Sequence, residues 1–361
     1  SHQCRPTVSI FWRWDPMPSP CVERCQTRWP RLPASEKVGA KTNVVTELPV
    51  VVGLGPVEAS IVDSVVSGHA RFVANPGPAD LAVAVGAIVR AHVRVDTTLL
   101  DSMPQLRALA RTGVGVEKVD VQQAHDRGIP VIITPGSNTN AVAEGTLAHL
   151  LALTKALPEL TTLVRDNRWT EREGVKVGDL EGGTLAILGY GRIGRKVAQL
   201  AQAFGMNVVA YDPYVTDADV PLAATVEEAL RGATHISCHL PATPETTGII
   251  NRSVIESLTP GTIIVNVARG EILDLDAALW GLITGVLGGV GLDVFDQEPP
   301  QLHAIFDHPN VVLTPHVMGL TTASTAETFR QAAQGILEVL AGRTPAHIAP
   351  PPNPSNGDSH E

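Results

Sequence analysis

The sequence predicts an α/β fold with two domains, each built around a parallel sheet, and three observations support this prediction. Short apolar segments alternate with helix-length segments along most of the chain, which is the pattern of consecutive β-α-β units. Hydrophobic residues make up 44% of the sequence and aromatic residues only 4%, a composition typical of buried parallel strands. The 361 residues also exceed what one hydrophobic core usually holds, so two domains are expected.

The first series of predicted strands lies at residues 49–53, 81–89, 106–110 and 131–134. A helix is predicted over residues 141–157, where Leu147, Leu150 and Leu151 recur at helical spacing. Such a helix suits a position between two domains. We therefore predict that the chain enters its second domain within this helix, between residues 146 and 147.

The second series of predicted strands is more regular and lies at residues 184–188, 207–211, 235–238, 262–266 and 290–293. Each strand is short, apolar and separated from the next by about the length of a helix. This spacing predicts a doubly wound sheet of the nucleotide-binding kind over residues 147–316.

A glycine-rich turn follows the strand at residues 184–188. Gly189, Gly191 and Gly194 form a Gly-x-Gly-x-x-Gly pattern that includes Arg192 and Ile193, and a helical pattern follows over residues 195–204. Gly189 permits a tight turn, Gly191 lets a pyrophosphate approach the backbone, and Gly194 allows the helix to pack closely on the strand. Such a turn alone is weak evidence, but the next strand ends on Asp212, where a carboxylate meets an adenosine ribose. A Rossmann-like domain that binds NAD is predicted, because the charge of Asp212 would repel the extra phosphate of NADP.

Charge and hydropathy exclude other classes of function. The chain has 27 basic and 37 acidic residues and a formal charge of -10, which disfavours nucleic acid as a partner. No apolar run approaches the roughly 20 residues that cross a bilayer, so no membrane association and a cytoplasmic location are expected.

Both ends of the chain are rich in proline and lack periodicity, so residues 1–48 are predicted to be a disordered extension and residues 344–361 a disordered tail. The extension contains Cys4, Cys21 and Cys25. Their spacing matches no familiar zinc pattern, and no metal site is expected.

Three polar residues, Arg269, Glu298 and His316, follow predicted strands of the second domain. Reduction of a 2-keto acid requires a fixed cation for the carboxylate and the carbonyl oxygen, and an arginine offers a permanently charged fork. It also requires a proton donor that is recharged near neutral pH, for which histidine is suited. A carboxylate beside the imidazole would orient it and favour its protonated form. Taken singly, Arg269 could equally be a surface ion-pair partner, Glu298 a solvated loop acid and His316 a helix cap.

Together with the glycine turn, these segments resemble the D-isomer-specific 2-hydroxyacid dehydrogenase family. The resemblance covers about residues 50–342 and includes the segments Arg111–Glu117 and Thr134–Asn138. It implies a flavodoxin-like substrate domain, formed by residues 49–146 and 317–343, into which the NAD domain is inserted. Within the family, the chain is interpreted as similar to D-3-phosphoglycerate dehydrogenases, and no C-terminal regulatory domain is expected.

The resemblance also implies roles for further residues. Backbone groups of Val114 and Gly115 would lie near the substrate carboxylate. Arg90 and Arg111 match basic positions that would face a substrate phosphate, although each could equally form a structural ion pair. The positions implied for the cofactor are Leu240, Val267 and Ala268 along it and Asp293 near the nicotinamide amide. A homodimer through the NAD domain is implied as well. Glu117-Lys118 and the segment Val317–Leu320 depart from the family's usual sequences, which leaves the choice of substrate open.

The expected activity is NAD-dependent hydride transfer at carbon 2 of a D-2-hydroxy acid, with 3-phosphoglycerate or glyoxylate and hydroxypyruvate as candidate substrates. The alternative is an NAD-sensing protein of the same fold that resembles transcriptional corepressors, and turnover discriminates between the two. A formate-type dehydrogenase would lack the acid partner of the histidine, so Glu298 argues against that reading.

Overall fold

The structure, a computed structural model, describes residues 47–350. The predicted N-terminal extension up to Thr46, with its three cysteines, and the tail beyond Pro350 lie outside the described residues. Within the extension, only Glu47 and Leu48 are described, and both are exposed.

The first sheet has five parallel strands in the order β2-β1-β3-β4-β5, which is the flavodoxin-like order. Its strands are β1 (Val50–Leu54), β2 (Arg71–Val73), β3 (Ala84–Val89), β4 (Ala108–Arg111) and β5 (Val131–Ile132). The helices between them are α1 (Ala59–Val66), α2 (Pro78–Val83), α3 (Thr97–Asp101) and α4 (Val121–Asp126). A late helix, α11 (Thr322–Leu340), returns to this sheet and buries Phe329 and Ile336 against it. Both ends of the described chain therefore contribute to one layer, as the resemblance implied.

The second sheet has six parallel strands in the order β11-β10-β9-β8-β6-β7. Its strands are β6 (Thr184–Leu188), β7 (Asn207–Tyr211), β8 (His235–Cys238), β9 (Thr262–Asn266), β10 (Leu287–Leu292) and β11 (Val311–Leu313). Its helices are α7 (Arg192–Ala203), α8 (Val226–Leu230), α9 (Arg252–Glu256) and α10 (Leu275–Thr284), and short 3₁₀ turns lie at Trp169–Gly174, Gly270–Ile272 and Ala304–Asp307. The predicted α/β fold with two doubly wound parallel sheets is confirmed.

Helix α5 (Thr139–Thr154) connects the sheets and packs on the second one. The helix predicted over residues 141–157 is interrupted, because Ala156 adopts a left-handed conformation with φ 48° and α6 (Leu157–Arg165) begins after it. The predicted division between residues 146 and 147 falls inside α5, and Val142 and Ala143 before it already belong to the core of the second sheet. The exact domain limits stay a prediction.

Two other segments differ from the sequence-based expectation. Residues 81–83, predicted as strand, end helix α2, which starts at Pro78 with the Asp80 carboxylate accepting the Gly77 amide at 3.0 Å. The tail prediction is wrong for residues 344–350, since the Ile133 amide donates to the His347 carbonyl at 3.1 Å and the Ala349 amide to Val131 at 2.8 Å. An edge strand such as β5 has backbone groups on one side that no neighbouring strand pairs, and residues 347–349 form hydrogen bonds there.

Among residues 47–350, no single helix combines the length and apolar character that a membrane span requires. Helices α5 and α6 would do so only as a pair, with a bend of 59° between them.

Candidate active site

Six of the predicted site residues follow the carboxyl ends of strands in the second sheet. Gly189, Asp212 and Leu240 come after β6, β7 and β8, while Arg269, Asp293 and His316 come after β9, β10 and β11. The order of the second sheet reverses at β6, which lies between β7 and β8. Ligands of doubly wound sheets bind in the crevice at such a reversal.

The three glycines of the turn have different surroundings. Gly189 has φ +97°, and a β-carbon there would lie 2.6 Å from the His239 carbonyl carbon. A β-carbon at Gly194 would lie 2.1 Å from the Gly189 oxygen, whereas one at Gly191 would meet no atom within 4 Å. Gly191 caps α7, and the exposed Arg192 and half-buried Ile193 follow it. The turn therefore fits a pyrophosphate at the helix N-terminus, with open space at the one glycine that must be approached.

Asp212 holds the glycine turn against the end of β7. One carboxylate oxygen accepts the Tyr190 amide at 2.8 Å, and the other accepts the Tyr214 amide at 3.0 Å. These bonds fix a negative charge beside the turn, where the sequence places the ribose-binding carboxylate.

His316 and Glu298 are brought into contact. The His316 Nδ1 atom lies 2.9 and 2.8 Å from the two carboxylate oxygens of Glu298. A carboxylate accepts, so Nδ1 carries the hydrogen of this bond and the neutral ring keeps its lone pair on Nε2. The imidazole is about half exposed, with 49% of its side-chain surface accessible. Its orientation leaves Nε2 available to exchange a proton with a bound molecule.

The loop that carries His316 is held by Asp293. His316 itself has φ 53°, a left-handed conformation that is costly for a residue with a side chain. The buried Asp293 carboxylate accepts three hydrogen bonds around it, from the Thr314 hydroxyl at 2.7 Å and from the Val317 and Met318 amides at 2.9 and 3.2 Å. Asp293 therefore positions the histidine loop, and its implied contact with the nicotinamide amide stays a prediction.

His149 of helix α5 extends this network. Since the Thr314 hydroxyl donates to Asp293, its oxygen accepts from His149 Nε2 at 3.1 Å. Burial lowers the pKa of His149, although the Asp293 charge opposes the shift, so the ring is neutral near pH 7. Sequence reasoning missed Thr314 and His149. The available signal was a threonine directly after a strand and a histidine within an otherwise apolar helix.

Arg269 is held by hydrogen bonds within its own turn and by Glu117, which belongs to the lobe formed around the first sheet. The buried Asn266 side chain donates to the Arg269 carbonyl at 2.7 Å and accepts the Ala268 amide at 3.1 Å, which shapes the turn through Val267. The guanidinium donates to Glu117, in the loop after β4, with Nη2 to Oε1 at 3.0 Å. Sequence reasoning missed Asn266, a polar residue that ends an apolar strand.

The predicted residues of the first sheet divide into two groups. Val114 is exposed and Gly115 half-buried, and both lie in the loop that faces Arg269. The Arg111 guanidinium instead donates to the carbonyls of Thr112 and Ala91, both at 3.2 Å, and burial lowers its pKa. Arg90 stacks on the Phe329 ring at 5.4 Å and lines a cavity of about 40 Å³. These contacts give both arginines a structural role, and their predicted role toward a substrate stays a prediction.

His239 follows strand β8 and precedes the buried Leu240. Burial lowers the pKa of His239 to about 3, and its Nε2 lies 2.7 Å from the Ser237 hydroxyl. A ring that stays neutral near pH 7 cannot serve as a second general acid.

Residues 147–318 match the family model described as D-isomer specific 2-hydroxyacid dehydrogenase, NAD binding domain. The chain is also 36% identical, over 257 residues, to the hydroxypyruvate reductase of Thermotoga maritima, and the match covers 70% of this chain and 82% of that enzyme. The chain belongs to the D-isomer specific 2-hydroxyacid dehydrogenase family. Residues 147–318, which contain the second sheet, correspond to the nicotinamide cofactor-binding domain of this family.

Other relatives agree with this membership. The D-3-phosphoglycerate dehydrogenase of Mycobacterium tuberculosis is 38% identical over 281 residues, which is 75% of this chain and 53% of that protein. The chain thus spans about half the length of the phosphoglycerate dehydrogenases it matches. Among solved structures, the TT0316 protein from Thermus thermophilus aligns with a TM-score of 0.75 at 34% identity and covers 83% of this chain and 100% of its own. A D-lactate dehydrogenase from Aquifex aeolicus complexed with NAD and lactic acid aligns with a TM-score of 0.69 at 26% identity, over 84% of this chain and 100% of its own.

Proposed function

We propose that this protein transfers a hydride between NAD and carbon 2 of a D-2-hydroxy acid or its 2-keto acid. The observation that carries the proposal is the contact of His316 Nδ1 with both oxygens of Glu298, which leaves Nε2 for the substrate oxygen. Arg269, three residues after strand β9, supplies the positive charge that a 2-keto acid requires.

Each group has a distinct task in the reduction direction. Bound NADH would supply the hydride. Arg269 would hold the substrate carboxylate and polarise the carbonyl by charge-assisted hydrogen bonds. His316, protonated before the reaction, would donate the proton of Nε2 to the developing alkoxide, and Glu298 would stabilise the imidazolium before that transfer. Asp293 and Thr314 would keep the histidine loop in place throughout.

NADH oxidation against a panel of phosphohydroxypyruvate, hydroxypyruvate, glyoxylate and pyruvate tests this proposal and selects the substrate class. The protein names of the relatives include D-3-phosphoglycerate dehydrogenase and hydroxypyruvate reductase, which motivates the panel. We expect His316→Gln to lower kcat by about 100- to 10,000-fold, the usual contribution of a general acid. His308→Gln is the matched control, because His308 lies at the opposite end of β11 from His316, where its Nδ1 accepts the Asn310 amide at 3.2 Å and makes no hydrogen bond to Glu298.

Binding of NADH without turnover of any of these acids would contradict the proposal and support the sensor alternative. In that case, Glu298→Gln and His316→Gln would leave the affinity for NADH unchanged.

We also propose that Asp212 makes NAD the preferred cofactor over NADP. Its carboxylate is fixed by two backbone amides at the end of β7, where an extra phosphate on the ribose would meet a negative charge. Comparison of the KM values for NADH and NADPH tests this preference.

We further propose a homodimer and a cytoplasmic location. Leu157 and Val164 of α6 expose 49% and 62% of their surface and line the same surface groove, and exposed apolar surface of this kind marks contacts between protein chains. Light scattering on the wild type and Val164→Glu tests the dimer, since a monomer in both proteins would refute it.

The only cysteine among the described residues, Cys238, is buried and unpaired, which is usual in a reducing compartment and supports the cytoplasmic location. Fractionation of cells tests the location.

A further inference from the structure

Glu117 and Arg269 form an ion pair between the two lobes of the protein. Glu117 lies in the loop after β4 of the first sheet, and Arg269 lies three residues after β9 of the second. A single carboxylate oxygen, Oε1 of Glu117, accepts from Arg269 Nε at 3.2 Å and from Nη2 at 3.0 Å. The remaining nitrogen, Nη1, donates to the Ala268 carbonyl at 2.7 Å. All three guanidinium nitrogens are therefore engaged within the chain.

The position of this ion pair coincides with the expected carboxylate site. A β-carbon at Gly115 would lie 2.5 Å from Oε2 of Glu117 and 2.8 Å from Nη2 of Arg269. The Glu117 carboxylate thus rests over the Gly115 backbone and against the Arg269 fork. The proposed function assigns the carboxylate of the substrate to Arg269, and the family resemblance implies that it also lies near the Gly115 backbone.

The charge state of Glu117 supports an ionic contact. Partial burial would raise the pKa of Glu117, but a backbone hydrogen bond and the Arg269 guanidinium outweigh it and hold the pKa below its ordinary value. Glu117 is therefore a carboxylate near neutral pH, chemically the same group as the carboxylate of a 2-keto acid. Its own side chain is 64% exposed, so it can move away from Arg269 into solvent.

We propose that Glu117 occupies the Arg269 fork as an internal carboxylate and competes with the carboxylate of the substrate for it. This inference rests on the proposed function of Arg269. A substrate must displace Glu117 before its carboxylate gains the two hydrogen bonds, so the competition weakens ground-state binding. Once the substrate is bound, Glu117 no longer contacts Arg269, and the rate of the chemical step does not depend on it.

The test compares the full-length wild type with Glu117→Gln, which keeps the side-chain volume and removes the charge. Oxamate, a carboxylate analogue of pyruvate, is the probe, and its affinity is measured by titration calorimetry with and without NADH. We expect oxamate to bind about two- to fivefold more tightly to Glu117→Gln, the range that an exposed ion pair provides. The KM for the preferred 2-keto acid falls by a similar factor, and kcat stays constant.

Glu256→Gln is the matched control, because Glu256 forms an exposed ion pair with Arg252 at 2.8 Å outside the cleft. It should leave the oxamate affinity unchanged. Unchanged or weaker oxamate binding by Glu117→Gln, with a lower free energy of unfolding, would overturn the inference and make the pair a structural contact.

The experiment separates this inference from the proposed function. Tighter oxamate binding by Glu117→Gln in a protein that reduces no 2-keto acid would support the competition and refute the enzyme. Turnover by the wild type with no change in oxamate affinity or KM in the variant would refute the competition and support the enzyme.

Discussion

His235 is a buried imidazole at the start of β8, where it joins the second sheet to helix α5. Its Nε2 lies 3.1 Å from the Thr154 hydroxyl, its Nδ1 lies 2.8 Å from the Thr234 hydroxyl, and only 5% of the residue is exposed. Burial lowers the pKa of His235 from 6.5 to about 4. The folded protein therefore keeps this ring neutral under conditions in which the unfolded chain protonates it.

The direction of the pH effect follows from this difference. As pH falls below 6.5, His235 is protonated in the unfolded state but stays neutral in the folded state until about pH 4. The free energy of unfolding therefore decreases across this window. The two pKa values correspond to a loss of about 2 kcal/mol in the free energy of unfolding at about pH 5 relative to neutral pH. His239, with its pKa lowered to about 3, adds a loss of the same sign.

Urea unfolding followed by circular dichroism between about pH 7 and pH 5 measures this contribution. We expect His235→Gln, which keeps hydrogen-bonding capacity without a titrating group, to lose about 2 kcal/mol less than the wild type over that interval. His69→Gln, at an exposed position between α1 and β2, is the control and should follow the wild type. Equal pH dependence in His235→Gln and the wild type would refute the reasoning.

Three further predictions concern the site. Gly191→Ala should weaken NADH binding about tenfold and lower the free energy of unfolding by at most about 1 kcal/mol. Gly194→Ala should lower it by about 1–3 kcal/mol, because the new β-carbon would lie 2.1 Å from the Gly189 carbonyl oxygen. Similar unfolding curves for the two variants would contradict this difference. Thr314→Val should lower the free energy of unfolding by about 1–3 kcal/mol and lower kcat more than it raises KM, because Asp293 and His149 lose their shared hydrogen-bond partner. Thr314→Ser should restore the stability and kcat. An unchanged kcat in Thr314→Val would count against the positioning role. Asp212→Asn should lower the KM for NADPH relative to that for NADH by about tenfold in steady-state kinetics, because the negative charge that repels the extra phosphate is removed. An unaltered ratio of the two KM values would show that Asp212 does not select the cofactor.

Most of the second sheet could be predicted from local pattern. The predicted ranges of β6, β7, β8 and β9 agree with the structure, because each is a short apolar run bounded by polar or glycine residues. The edge strands β2 and β11 were missed, since each has only three residues and little periodicity. The tail was also misjudged, because pairing with β5 depends on a strand more than 200 residues away in sequence.

The sequence by itself determined the fold class, the glycine turn and the candidate residues Arg269, Glu298 and His316, because strand periodicity, glycine spacing and the order of motifs are local properties. Only the tertiary structure decided which groups meet. The contact of His316 with Glu298, the three bonds that Asp293 makes to the histidine loop and the pairing of Arg269 with Glu117 join residues from different strands or different lobes. Parallel strands bring their carboxyl ends to one edge whatever their separation in sequence, so these partnerships arise from sheet order and packing, which no local pattern encodes.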